Sequence, residues 1–71
     1  MSEILDTRGY YCPIPVLKTR RALQEIKIGE TISVLATDPA SAIDITHFCN
    51  TTGNILLESS VSDNVYTYVI K

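Results

Sequence analysis

Two prolines one residue apart, directly after a cysteine, constrain this chain more than any other feature: Cys12, Pro13, Ile14 and Pro15. Inside a helix, proline lacks the N–H that the preceding turn needs and clashes with its carbonyl. The first turn tolerates proline, because the first four N–H groups of a helix have no partner within it. The motif therefore predicts a helix with Cys12 at the N-cap, Pro13 at N1 and Pro15 at N3. The N–H groups of Ile14 and Val16 would then be available to an anion on Cys12.

The length and composition indicate a single domain that spans residues 1–71. A chain of 71 residues, 45% hydrophobic and 20% charged, is typical of a small globular protein without a second core. No apolar run approaches the roughly 20 residues of a membrane helix, and the N-terminus lacks a signal-peptide pattern. We therefore expect a cytoplasmic protein without membrane binding. The net charge of −2 argues against direct nucleic-acid binding.

Two cysteines and one histidine, His47, are too few for a common zinc site, and we predict neither metal nor cofactor. Cys49 falls on the apolar face of the second predicted helix, which favours a role in core packing. It lies about 16 Å along that helix from Asp38. Disulfide partners need Cα atoms within about 7 Å, so a bond to Cys12 is not expected. His47 is predicted to lie at the surface.

Strand and helix patterns alternate along the rest of the chain. Period-2 alternation and turn signals predict strands at residues 3–7, 31–36, 55–58 and 65–70, the last two joined through Ser62, Asp63 and Asn64. Helices are predicted from Cys12 to about Ile26, and from Asp38 as N-cap to Gly53 as C-cap. With right-handed crossovers, this order predicts an α+β fold: a two-layer α/β sandwich, βαβαββ, with two helices on one face of a four-stranded mixed sheet. The start of the second helix should then lie at the sheet edge where Cys12 emerges.

The first predicted helix has one apolar face and, close to Cys12, a second group of exposed residues. The face that should contact the core comprises Val16, Thr19, Ala22, Leu23 and Ile26. The other group, which we call the docking patch, comprises Ile14, Leu17, Lys18, Arg20 and Arg21. Two interpretations of this patch are open. Scattered exposed apolar residues and solvated charges are normal on a helix, but apolar residues beside cations also suit a partner that must reach Cys12.

These motifs resemble the small sulfur-carrier family named after TusA and also called SirA-like, whose mark is a Cys-Pro-x-Pro turn at the first helix. Further matching positions run along nearly the whole chain: Leu5, Asp6, Gly9, Gly29, Glu30, Asp38, Pro39, Ala40, Asp44, Ile45, Phe48 and Cys49. The resemblance implies the βαβαββ fold and a sulfur carrier that holds a persulfide on Cys12. The implied partners are a sulfur donor, either a cysteine desulfurase or a rhodanese-like protein, and a sulfur acceptor protein. Transfer RNA thiolation, molybdenum-cofactor sulfuration, dissimilatory sulfur oxidation and selenium metabolism are all compatible pathways.

A carrier cysteine must be exposed and reactive as a thiolate. A helix N-terminus favours an anion, so we expect a lowered pKa for Cys12 and a stabilised persulfide. Pro13, Ile14, Pro15 and Val16 would provide the turn geometry and this stabilisation. Ile14 occupies the variable position of the motif and is expected to influence the choice of partner. No general base lies nearby in sequence, so we expect a monomeric relay protein, a sulfurtransferase only in that sense, without turnover of its own.

Other functions compete with the carrier. A non-catalytic interaction or regulatory module could use the Cys-Pro-x-Pro turn only as a structural helix cap. A redox sensor is disfavoured, because no resolving thiol is predicted near Cys12. Tyr66 and Tyr68 are interpreted as strand residues on one sheet face, since a base-stacking surface would need a basic groove.

Overall fold

A computed structural model describes residues 2–71, which form six elements in the order that the sequence predicts. These are β1 (Ser2–Thr7), α1 (Ile14–Glu25), β2 (Thr31–Ala36), α2 (Ser41–Thr52), β3 (Leu56–Ser62) and β4 (Val65–Ile70). The strands form one sheet in the order β1-β2-β4-β3, in which β1 is parallel to β2 and the other pairs are antiparallel. The predicted βαβαββ fold with a mixed four-stranded sheet is confirmed.

One face of the sheet packs under both helices and forms the core. Alternate residues of β2, namely Ile32, Val34 and Ala36, are fully buried there together with Tyr68 and Ile70 of β4. The second helix contributes Ile45, Phe48 and Cys49 to the same cluster. Cys49 is only 3% exposed, so the prediction that it packs in the core is confirmed.

The apolar face predicted for α1 also contacts this core. Thr19 is fully buried, and its hydroxyl donates to the Pro15 carbonyl at 2.8 Å, which satisfies its polar atom within the helix. The other members of that face pack against the core cluster as partly buried side chains: Val16, Ala22, Leu23 and Ile26. The helix thus presents its opposite side, including most of the docking patch, to solvent.

Both helices begin later than predicted. In α1 the N-cap is Pro13, so Cys12 lies one residue outside the helix and Pro15 falls within its first turn. The reason is a preceding turn, in which the Ile14 N–H donates to the Tyr11 carbonyl at 2.9 Å. The prediction of Cys12 as N-cap, with Pro13 at N1 and Pro15 at N3, is therefore wrong by one position.

The second helix begins at Ser41 with Ala40 as N-cap, so the prediction of Asp38 as N-cap is also wrong. Asp38 instead closes the turn ahead of the helix. Its Oδ1 accepts the Ala40 N–H at 3.1 Å, and its carbonyl accepts the Ser41 N–H at 2.9 Å. The other end agrees with the sequence: Gly53 has φ +82° and donates its N–H to the Cys49 carbonyl at 3.0 Å.

The hairpin turn is the one that Asp63 and Asn64 predict. Their φ angles of 50° and 64° lie in the left-handed region, as a tight two-residue hairpin turn requires. The pairing extends beyond the strand ends, because Ile55 and Lys71 exchange backbone hydrogen bonds of 3.1 and 2.9 Å. The described chain contains no helix that is both long and apolar enough to span a membrane.

Candidate functional site

Cys12 lies in the β1–α1 loop, with its thiol exposed. Because β1 and β2 are parallel and Thr7 pairs with Ala36, both strands end at the same edge of the sheet. The loop that follows β2 therefore meets the loop that follows β1. Two hydrogen bonds join these loops: the Cys12 N–H donates to Oδ2 of Asp38 at 2.8 Å, and the Gly9 N–H donates to the Thr37 hydroxyl at 2.9 Å. The predicted proximity of Asp38 to Cys12 is confirmed, although Asp38 holds the cysteine loop and does not cap α2.

A groove of about 430 Å³ runs between the two helices and begins at Cys12. We call it the interhelix groove. Its lining is mainly apolar, and the residues that form it are Cys12, Pro13, Val16, Leu17, Arg20, Asp44, His47, Phe48, Thr51 and Thr52. It offers a sheltered apolar surface beside an exposed thiol, with charged groups at its sides.

The electrostatic environment of Cys12 is opposite to the predicted one. A hydrogen bond between the thiol and the Asp44 side chain raises the pKa of Cys12, and loss of solvent and the negative charges of Asp44 and Asp38 raise it further. The expected lowering of this pKa is therefore wrong. The helix N-terminus favours the thiolate, but Asp44, loss of solvent and Asp38 act in the opposite direction and raise the pKa.

The backbone donors of the turn are also fewer than predicted. The Ile14 N–H is occupied by the Tyr11 carbonyl at 2.9 Å, so the prediction that it faces an anion on Cys12 is wrong. The Leu17 N–H donates to the Pro13 carbonyl at 3.1 Å. Within residues 2–71, the Val16 N–H has no hydrogen-bond acceptor. Val16 is thus the remaining backbone donor among the four residues assigned to persulfide stabilisation.

The five residues of the docking patch do not all line the interhelix groove. Leu17, 51% exposed, and Arg20 line the interhelix groove together with Cys12. Ile14 is 36% exposed and lies outside the groove lining. Lys18 places its ammonium 4.8 Å from the centre of the Tyr10 ring.

Arg21, the remaining member of the patch, lies 3.9 Å from Glu25 in an exposed ion pair on the same helix. It does not line the interhelix groove, but it lines a neighbouring surface depression together with Leu17 and Arg20. Leu17 and Arg20 therefore line the same groove as Cys12, and the other three members of the patch lie outside that lining.

Asp44 and His47 belong to the site although the residue pattern around Cys12 did not point to them. Asp44, His47 and Thr51 recur at intervals of three and four residues along α2, which places them on one helix face. Both helices cross the same face of the sheet, so this side of α2 is turned toward α1. The spacing, combined with the predicted topology, was the signal that could have identified them.

Within the described residues, no group of three or more histidine, cysteine or acidic side chains could hold a metal ion. Cys12 and Cys49 are both free thiols. Burial raises the pKa of Cys49. Tyr66 and Tyr68 stack with ring centres 6.5 Å apart, and Tyr68 is fully buried, which agrees with their interpretation as strand residues.

Known proteins resemble this chain in sequence and in fold. The sequence model of the family described as "Sulfurtransferase TusA" matches residues 3–71. A Neisseria meningitidis serogroup A protein named "Putative sulfur carrier protein" is 41% identical over 70 residues, which cover 99% of this chain and 95% of the relative. The "Sulfur carrier protein TusA" of Allochromatium vinosum is 37% identical over 67 residues, 94% of this chain and 88% of its own. The crystal structure of a SirA-like protein from Desulfitobacterium hafniense superposes with a TM-score of 0.85 at 26% identity, covering 96% of this chain and 93% of that one.

Proposed function

The chain belongs to the family of sulfurtransferase TusA, and from that premise we propose that it is a sulfur carrier whose persulfide forms on Cys12. The observation that carries the proposal is the contrast between its two cysteines. Cys12 is exposed at the mouth of the interhelix groove, whereas Cys49 is 3% exposed in the core. A sulfur atom that passes between proteins needs a thiol that both partners can reach.

The transfer is a thiol exchange that needs no external oxidant. The Cys12 thiolate attacks the outer sulfur of a persulfide on the donor protein, and a new S–S bond forms as the donor's S–S bond breaks. The donor cysteine leaves as a thiolate, and the outer sulfur, with its proton, is now bound to Cys12. The same exchange in the next protein delivers that sulfur to the acceptor and restores the Cys12 thiol.

The surroundings of Cys12 suit its persulfide form. Val16, Leu17 and Phe48 supply apolar lining beside the thiol, where a terminal sulfur can be partly sheltered from water. The Val16 N–H has no acceptor in the described chain and lies in the first turn of α1, so it is the backbone donor that a terminal sulfur on Cys12 could use. Pro13 and Pro15 stiffen this turn, and neither can act as an acid or base.

The proposed partners are a sulfur donor, either a cysteine desulfurase or a rhodanese-like protein, and a sulfur acceptor protein, with Leu17 and Arg20 as the contact residues nearest to Cys12. The names of the relatives as sulfur carriers support this assignment. We place the protein in the cytoplasm as a monomeric domain of residues 1–71. Transfer RNA thiolation, molybdenum-cofactor sulfuration and other sulfur or selenium pathways are all compatible with such a carrier.

Mass spectrometry of the intact protein tests the proposal. After incubation with a cysteine desulfurase and cysteine, or with a rhodanese-like donor and its sulfur source, the wild-type chain should gain the mass of one sulfur atom, and a thiol reductant should remove it. Cys12→Ala should not gain this mass, whereas Cys49→Ala should. Loading of the Cys12→Ala variant, or no loading of the wild type by either class of donor, would refute the proposal.

The raised pKa of Cys12 also suits a second candidate, an interaction module in which the cysteine only shapes the turn. In that case the groove residues would bind a partner regardless of the thiol. Cys12→Ser would then retain both partner binding and the cellular phenotype, whereas a sulfur carrier would keep binding but lose the phenotype.

A further inference from the structure

We propose that Tyr10 and Tyr11, together with Lys18, form a binding surface for the sulfur donor protein. We call these three residues the tyrosine surface, and the donor surface that fits it is apolar and bears a carboxylate. The inference rests on the proposed sulfur-carrier function and adds residues that determine the affinity for the donor. None of the three lines the interhelix groove, so they extend the contact area around Cys12 beyond that groove.

The two tyrosine side chains are exposed immediately before the reactive residue. Tyr11 is 73% exposed and Tyr10 is 45% exposed. The tyrosines of β4 differ from them, because Tyr68 is fully buried and Tyr66 packs against the core. An exposed ring contributes little to the stability of its own chain, whereas tyrosine is enriched at protein interfaces, where the ring is buried and the hydroxyl finds a partner. The pair is therefore available to a protein that approaches Cys12.

Backbone hydrogen bonds hold the loop that carries the tyrosines. The Tyr10 N–H donates to the Thr7 carbonyl at 3.2 Å. The Tyr11 carbonyl accepts the Ile14 N–H at 2.9 Å, which ties the loop to the first residue of α1. Because the backbone is already fixed in the free chain, less conformational freedom is lost when a partner binds, and the affinity is higher.

Lys18 joins this surface to α1. Its ammonium lies 4.8 Å from the centre of the Tyr10 ring, within the range of a cation–π interaction. Within residues 2–71, Lys18 forms no ion pair. Its charge is therefore available to a carboxylate of the partner, beside the apolar contact that the rings provide.

The charges of α1 specify the chemistry of the partner further. The helix carries three cations, Lys18, Arg20 and Arg21. Its one acidic residue, Glu25, lies 3.9 Å from Arg21 at the end of the helix remote from Cys12. The chain as a whole has a net charge of −2, so these cations are a local excess. An acidic donor surface complements them and is attracted to this side of the protein.

The occupant is the donor because the structure describes the carrier before it accepts sulfur. Cys12 is a free thiol, which is the form that the donor meets, whereas the acceptor meets the persulfide. The outer sulfur of the donor has to contact the Cys12 sulfur, so the donor surface passes over the adjoining Tyr11 side chain. A standard interface buries about 800 Å² of each partner. This area is large enough to cover Tyr10, Lys18 and the exposed Leu17 as well.

Loading kinetics of single variants test the proposal. The initial rate of persulfide loading is measured by mass spectrometry over a range of donor concentrations, with a cysteine desulfurase and cysteine or with a rhodanese-like donor and its sulfur source. Tyr11→Ala should raise the half-saturating donor concentration about tenfold and leave the maximal rate close to that of the wild type, since the reacting thiol is unchanged. Tyr11→Phe, which keeps the ring, should recover most of the affinity. Lys18→Glu should raise the half-saturating concentration several-fold, with a larger effect at low salt.

Ile4→Ala is the matched control. Ile4 is 75% exposed on β1, and its neighbour Leu5 packs against the core, so Ile4 lies on the sheet face without helices. This variant should load with the wild-type constants. Urea denaturation should show equal stability for Tyr11→Ala and the wild type, because the ring is exposed and the backbone carbonyl remains.

The possible failures are distinguishable. A wild-type half-saturating concentration in Tyr11→Ala would overturn the proposal. Normal loading of that variant with slower transfer to the acceptor would also overturn it and would assign the tyrosine surface to the acceptor. No loading of the wild type by either class of donor would instead refute the carrier function itself.

Discussion

The Asp38 carboxylate accepts the backbone N–H of Cys12 at 2.8 Å, across a sequence separation of 26 residues. Its second oxygen accepts the Ala40 N–H at 3.1 Å, and the whole residue is only 7% exposed. One nearly buried side chain thus joins the cysteine loop to the start of α2. The geometry of the candidate site depends on this bridge between two loops at the same edge of the sheet.

Removal of the bridge should destabilise the protein and misplace the cysteine. Asp38→Ala leaves two backbone N–H groups without their acceptor, at a cost of about 1–3 kcal/mol in the free energy of unfolding. Urea denaturation measures this loss, and the rate of persulfide loading measures the effect on Cys12. Asp38→Asn keeps one acceptor oxygen, so it should lose less stability and less of the loading rate than Asp38→Ala. Equal stability of Asp38→Ala and the wild type would show that water replaces the carboxylate without cost.

Substitution of Cys49 should affect stability and leave sulfur loading intact. Cys49→Ala removes one buried sulfur atom and should cost about 1 kcal/mol. Cys49→Ser should cost more, because a polar hydroxyl enters an apolar cluster, even if it donates to the carbonyl of the preceding turn as Thr46 and Thr52 do. Urea denaturation measures the stability of both variants. In the mass assay, both variants should still gain one sulfur atom. Loss of loading in Cys49→Ala at a temperature where it remains folded would contradict the assignment of this residue to the core.

The hydrogen bond between Ser41 and Tyr68 should anchor the first turn of α2. The two hydroxyls are 2.7 Å apart and both residues are buried. Tyr68→Phe leaves the Ser41 hydroxyl without its partner and should cost about 1–2 kcal/mol. The double variant Ser41→Ala/Tyr68→Phe should recover part of this loss, because no unpaired hydroxyl remains. The wild type, the two single variants and the double variant form a thermodynamic cycle. If the losses of the two single variants add up to the loss of the double variant, the two hydroxyls do not stabilise each other.

A charge placed on the interhelix groove should weaken partner binding without destabilising the fold. Leu17 is 51% exposed and lies beside Cys12, so Leu17→Glu should slow loading at low donor concentration at least several-fold. The matched variant Ile28→Glu changes a fully exposed apolar residue beyond the far end of α1. It should load at the wild-type rate. Equal loading rates for Leu17→Glu and Ile28→Glu would show that the donor does not contact Leu17.

The contact between Asp6 and Arg8 should contribute a small acid-sensitive part of the stability. Hydrogen bonds from the Arg8 side chain lower the pKa of Asp6 to about 2. Because the pKa is lower in the folded state than in the unfolded state, this contribution is present above about pH 4. It should be lost as the pH falls toward 2. Urea denaturation of Asp6→Asn and the wild type should differ at pH 6 and converge near pH 2. High salt should reduce the difference, since both groups are exposed.

The elements themselves were predictable because their signals are local. Alternation in β2 follows from the period of a strand, and the bounds of that strand, Thr31–Ala36, were predicted without error. The apolar face of α1, the Asp63 and Asn64 turn and the Gly53 cap each depend on residues within a few positions of one another. The order of these elements, with the handedness of crossovers, was sufficient to predict the two-layer fold.

The ends of the helices were less predictable because distant groups compete for their N–H donors. The rules for proline place Cys12 at the N-cap if nothing else binds the turn. In the folded chain, Asp38 holds the Cys12 N–H and the Tyr11 carbonyl takes the Ile14 N–H, which delays the helix to Ile14. The location of Asp38 beside Cys12 was predicted from topology, but the atom that it would bind was not.

By itself, the sequence determined the fold, the buried position of Cys49 and the choice of Cys12 as the candidate carrier residue. Only the tertiary structure decided the chemistry around that thiol. The Cys-Pro-x-Pro motif predicts an anion-stabilising helix start, and the parallel pairing of β1 and β2 brings Asp38 and Asp44 to the same place. Electrostatic effects depend on distance in space, so two carboxylates far along the chain reverse the pKa shift that the local motif predicts.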